Sequence, residues 1–166
     1  RMDKARERKR RLVQDQKRFE KKRESLTRQE RLEFGEELLY SLQDNIGRTE
    51  ERLFDTLHGF RILLPAGMKA EKPHVLISGN SGNSYEVDMR EAKQAGCIQR
   101  VEHLLSHLDE RILAAEEDIA RLKTEASLAK EELEKGNSYA RDAEALNQKL
   151  LDIDQELNRR AEEKCA

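Results

Sequence analysis

Tryptophan is absent, aromatic residues make up only 4% of the chain, and there are just two cysteines. Cys97 and Cys165 are too few and too isolated for a disulfide framework or a metal knuckle. No signal peptide and no run of about eighteen apolar residues is present, so the expectation is a cytoplasmic protein with no membrane partner. Apolar residues amount to 36% against 40% charged, which leaves 166 residues with one small core and much solvated helix surface. A large buried pocket is not expected. The opening Arg1-Met2 and the abrupt end at Cys165-Ala166 read either as the ends of a fragment cut from a longer protein or as a residual tag.

Charge is present in plenty and is unevenly spread. Residues 1–26 hold twelve Lys or Arg against five Asp or Glu, so a segment of +7 sits in a chain whose net charge is −2. Arg8, Lys9, Arg10, Arg11, Lys17, Arg18, Lys21, Lys22 and Arg23 are therefore candidates for binding nucleic acid through its phosphates. Phe19 is the only aromatic among them, which argues against stacking on single-stranded bases. Ala5, Leu12, Phe19 and Leu26 recur every seven residues, so this basic arm reads as a helix with a thin apolar stripe that must lean on a neighbour or a second copy.

The most regular feature is an apolar repeat of three then four residues, beginning at Ile98, Val101, Leu105 and Leu108. It continues through Ile112, Ala115, Ile119, Leu122, Ala126, Ala129 and Leu133. That is a coiled-coil seam, which needs a partner helix and supplies no chemistry. After Gly136-Asn137 the spacing resumes as Tyr139, Ala143, Leu146, Leu150, Ile153 and Leu157. The spacing predicts an antiparallel helical hairpin over 97–166 with its turn near 134–138. Folding back would set Ala129 beside Ala143, Ala126 beside Leu146, Leu122 beside Leu150, Ile119 beside Ile153 and Ala115 beside Leu157.

Residues 27–96 read as a small α+β body. Thr27-Arg28-Gln29-Glu30 fits a capping box opening a helix over 28–46, with Leu32, Leu38, Leu39, Leu42 and Ile46 apolar and Asn45 and Gly47 at its end. Alternation then predicts three antiparallel strands near 58–64, 73–78 and 84–89, separated by Pro65-Ala66-Gly67 and the turn Gly79-Asn80-Ser81-Gly82-Asn83. The fold class expected is α+β, mostly helical, with the sheet packed on a helix near the base of a long hairpin.

Little in the chain carries catalysis. His103 and His107 are four apart, a spacing that can serve a metal, but no Glu stands beside His103 and both face away from the seam. Gly79 to Ser84 is glycine-rich without the Lys-Ser or Lys-Thr of a phosphate loop, and a strand rather than a helix follows it. The acidic clusters Glu116-Glu117-Asp118 and Glu131-Glu132 lie on solvated faces, and Cys97 has no histidine or resolving cysteine near it in sequence. No catalytic residue, metal or cofactor is expected.

Gly59-Phe60, Ser84-Tyr85-Glu86-Val87, Ile98-Gln99-Arg100, and the stretch from Ala129-Lys130-Glu131-Glu132 to Ser138-Tyr139 together carry a resemblance. Over residues 30–160 the chain resembles the C-terminal region of large bacterial SNF2-type DNA helicase proteins, which often add adenine-specific DNA methyltransferase modules and travel on mobile elements and phages. It departs from them in its N-terminal helix and at Ser138, where a proline is common. The resemblance implies a non-catalytic accessory tail of a DNA-dependent ATPase, with the other domains of the parent chain and DNA as partners. The rival expectation is a stand-alone coiled-coil adaptor or homodimerisation domain with no nucleic acid role.

Overall fold

A computed structural model describes residues 1–165; Ala166 and the side chains of Lys164 and Cys165 lie outside the described residues. The chain is a mixed α+β protein in two units, one from Arg1 to Ile119 and one from Ala120 onward.

Helix α1 (Met2–Lys22) places Leu12, Asp15 and Phe19 on its buried side. The basic arm is thus part of the first unit, held by its heptad stripe, and not a free appendage. Helix α2 (Arg28–Asn45) starts from a capping box in which the Glu30 amide donates to Thr27 Oγ1 (3.2 Å) and the Thr27 amide to the Glu30 carboxylate (2.7 Å). Removing the hydroxyl leaves a free amide at the helix start, so Thr27→Ala is expected to cost about 1 kcal/mol in a urea melt. At the other end of α2, buried Asn45 donates to the Pro65 carbonyl at 2.8 Å, which fastens the helix to the end of a strand.

The sheet has four strands, β1 (Arg52–Leu57), β2 (Phe60–Leu64), β3 (His74–Ser78) and β4 (Ser84–Asp88), in an antiparallel meander of order β1-β2-β3-β4. The expectation of three strands omitted β1. Its alternation is broken by a bulge between Leu53 and Asp55, which moves side chains to the other face and hides the period of two. A two-residue turn joins β1 to β2. Both His58 (φ 52°) and Gly59 (φ 79°) are left-handed there, as the twist of a tight hairpin demands, although histidine is an uncommon choice.

Cross-strand rows Ile62–Ile77–Tyr85 and Val75–Val87 form the inner face of the sheet. They share one core with Leu12 and Phe19 of α1, Leu38 and Leu42 of α2, and Cys97, Ile98, Val101 and Leu105 of helix α3 (Gln94–Ser106). Burial raises the Cys97 thiol above its ordinary pKa, in keeping with an inert packing role.

The long seam meets a different fate from that expected. At His107 the helix is interrupted for one residue, and the His107 ring makes a 2.7 Å hydrogen bond to the His103 carbonyl at the break. Leu108, Ala115 and, in part, Ile112 then complete the core of the first unit. These seam positions therefore pack on the body and not on a returning helix. Helix α4 runs from Leu108 to Cys165 without a turn, so the hairpin over 97–166 is corrected to α3 followed by one continuous helix. A single glycine costs a helix only about 1 kcal/mol relative to alanine. With no proline near Gly136-Asn137, that cost does not stop a helix flanked by good helix formers.

Candidate functional site

Docking α1 by Leu12, Asp15 and Phe19 sorts its cations into two groups. Lys9 reaches Glu116 at 2.8 Å. Arg11 and Arg10 both bond Glu7, at 2.9 and 2.7 Å, and these contacts, Arg10 first, bring the Glu7 carboxyl down to about 2. Arg18 donates to the Gly59 carbonyl at 3.0 Å, and Arg23 lies over the Phe19 ring. Lys9 and Arg18 thus tie α1 to other elements, while Arg10, Arg11 and Arg23 contact groups three or four residues away and Arg8, Lys17, Lys21, Lys22 and Arg23 are exposed.

Helical spacing gathers Arg6, Arg10, Lys17 and Lys21 on the side opposite Leu12 and Phe19. All four are exposed. Arg6 was not among the candidates from charge density, and only the docked orientation of α1 brings it into the row. A row of cations on one helix face matches a phosphate backbone and reads no base.

Two polar clusters under α1 were not anticipated. Buried Asp15 Oδ2 accepts hydrogen bonds from Ser81 (2.7 Å), Asn83 (3.0 Å) and the Tyr85 hydroxyl (2.5 Å). Burial first, and then the Asp15 carboxylate, push the Tyr85 hydroxyl well above its usual pKa, so it remains a donor. The sequence does contain a signal: Asp15 interrupts the apolar stripe between Leu12 and Phe19, where a charge needs dedicated partners. Ser81 and Asn83 of the glycine-rich 79–83 turn serve Oδ2, while Oδ1 is buried without a hydrogen-bond partner beside Gly79, where a β-carbon would stand 2.8 Å from it.

The second cluster centres on His58, fully buried. Its Nδ1 accepts the Glu24 amide (2.9 Å) and its Nε2 donates to Glu102 (3.0 Å), while Arg31 grips both Glu102 oxygens at 2.9 Å. Burial alone would raise the Glu102 pKa, but the Arg31 hydrogen bonds, backed by His58, hold it below the ordinary carboxylate range. Every partner is a protein group, so this is a clamp between the α1–α2 link, α2, α3 and the β1–β2 turn.

His103 and His107 are exposed, with ring centroids 4.2 Å apart and ring planes tilted by 43°. Among the described residues no group of three or more His, Cys, Asp or Glu side chains converges as for a metal. No described helix is long and apolar enough to cross a membrane.

The second unit carries the other surface. Ala126, Ala129, Ala143, Leu146, Leu150, Ile153 and Leu157 are exposed and Leu122 is half-buried; Leu133 and Tyr139 are 67% and 73% accessible. The seam is present on the helix and lies open. The chain matches no family model, no curated protein and no solved structure.

Proposed function

We propose that this chain is a non-catalytic assembly and positioning module, docking through the open seam of α4 while the cationic face of α1 rests on nucleic acid. The observation that carries the reading is the row of large apolar side chains from Leu133 to Leu157, each more than half exposed. Soluble surfaces rarely leave so long an apolar stripe to water unless a partner covers it. The resemblance to C-terminal regions of large SNF2-type DNA helicases supports a setting in which the module positions such a protein on DNA or on a partner. The ATPase work would then belong to other domains.

The nucleic acid role is carried by Arg6, Arg10, Lys17 and Lys21. If they neutralise about four phosphates, duplex affinity should fall roughly a hundredfold between about 50 and 200 mM salt. Fluorescence anisotropy with a mixed-sequence duplex measures this. Replacing all four by glutamine should flatten the salt dependence while leaving the melting curve of the body unchanged. Binding that is indifferent to salt, or unaffected by the four substitutions, leaves the stand-alone adaptor reading in its place.

A further inference from the structure

We infer that the partner covering the seam of α4 is the same seam on a second copy of the chain, laid parallel and in register. This rests on the assembly-module reading and specifies its partner. The argument comes from the residues that flank the seam.

Up to Gly136, Ala126 and Leu133 occupy heptad position a, and Leu122 and Ala129 occupy d. That puts Lys123 and Lys130 at e, and Glu125 and Glu132 at g. From Tyr139 onward Ala143 and Leu150 are a, and Tyr139 and Leu146 are d, so that Asp142 and Lys149 fall at g, and Asn147 and Asp154 at e. In a parallel pair each g residue meets the e residue five positions further along the other helix, and these contacts set orientation. Glu125 then meets Lys130 of the second copy, and Lys149 meets Asp154. Glu132 and Asp142 meet the neutral Asn137 and Asn147. No like charges face each other.

The antiparallel alternative, crossing at Gly136, would recreate between two copies the side-by-side set expected of a hairpin. There g faces g. Glu125 would find Lys149, but Glu132 would be pressed against Asp142. The exposed ion pairs that Glu125 and Lys130 make within the helix, with Arg121 (3.5 Å) and Glu134 (4.0 Å), are of the weak kind that exchange readily.

Register is set by the glycine. Leu133, Gly136 and Tyr139 follow one another at three-residue steps, an extra three residues in the heptad pattern that overwinds the coil locally. Two helices share that distortion only when their glycines lie at one level. Slipped registers break the seam twice. Covering the large side chains from Leu122 to Leu157 on both copies removes roughly 1,000 Å² or more of apolar surface at about 60–100 Å² each. That approaches the about 1,200 Å² at which stable interfaces begin.

The test uses the 166-residue chain. Sedimentation velocity should show a dimer that the double variant Leu146→Lys/Leu150→Lys converts to monomer, with the thermal transition of the body retained because both positions are exposed. In a Cys165→Ser background, Ala129→Cys and Ala143→Cys chains are mixed in equal amounts and oxidised. A parallel pair gives 129–129 and 143–143 disulfides only. Disulfides solely between 129 and 143 overturn the parallel arrangement while leaving the seam as the docking surface. A monomer at high micromolar concentration whose helicity drops by the share of residues 120–165 overturns the second copy and leaves the seam in need of another helix. A monomer that keeps that helicity overturns the inference and the module reading together.

Discussion

Gly35→Ala is expected to be among the most damaging single-methyl changes available to this protein. A glycine inside a helix costs about 1 kcal/mol relative to alanine, so on propensity alone the substitution should stabilise α2. Packing reverses the sign. A β-carbon at Gly35 would stand 1.8 Å from the Gln94 carbonyl oxygen and 2.5 Å from its carbon, where the first turn of α3 presses on α2. These are backbone atoms and cannot swing aside. Separating the helices opens the contact between Leu38 on one side and Cys97, Ile98 and Val101 on the other, all of them buried. Overpacking of this kind costs about 1–3 kcal/mol and sometimes more, and here the upper end applies because α2 and α3 pack closely along their lengths. Urea denaturation of Gly35→Ala beside a Gly96→Ala control, where an added carbon meets nothing within 4 Å, measures the difference. Equal midpoints would show that α2 and α3 do not approach as described.

Glu102→Ala should rank close behind. It strips His58 Nε2 and Arg31 of their shared acceptor at a site where the His58 ring is fully buried and the Glu102 side chain only 13% accessible. Breaking a buried pair by removing one partner costs about 3 kcal/mol or more. Glu102→Gln keeps an acceptor for one neighbour and should lose about half of that. The same carboxylate links stability to pH. Its folded pKa lies below its unfolded value, so the contribution is fully present above the ordinary carboxylate range and disappears as pH falls through the folded pKa. Thermal melts through the acid range should therefore drop less steeply for Glu102→Gln than for the parent chain. Parallel curves would mean that Arg31 and His58 do not bias Glu102 in the folded state.

Much of the body is legible in the residues because its signals are local. The Thr27–Glu30 box opens α2, and alternation marks β3 and β4 around a polar turn. β1 was illegible because a bulge disturbs its period, and its turn uses histidine where Asn-Gly is the usual sign. The seam was legible as a repeat, but a repeat does not say what it meets. Its N-terminal part covers the sheet and its C-terminal part stays open, and only the burial of Leu108 and Ala115 separates them. The Asp15 and His58 clusters join residues 34 to 71 positions apart, a distance at which no spacing rule operates. The row Arg6, Arg10, Lys17 and Lys21 emerges only once the inward side of α1 is known.

That inward side also orders events during synthesis. Helix α1 leaves the ribosome ahead of its partners: it carries Asp15, whose hydrogen-bonding groups on Ser81, Asn83 and Tyr85 are encoded some seventy residues later. At about 5–20 residues per second the carboxylate waits for several seconds before those groups exist. Until then Leu12 and Phe19 lack the strand residues that share their core in the folded unit. Helix α1 is thus among the last elements to lock, because its partners lie on the 79–83 turn and, through the Lys9–Glu116 pair, still further along the chain.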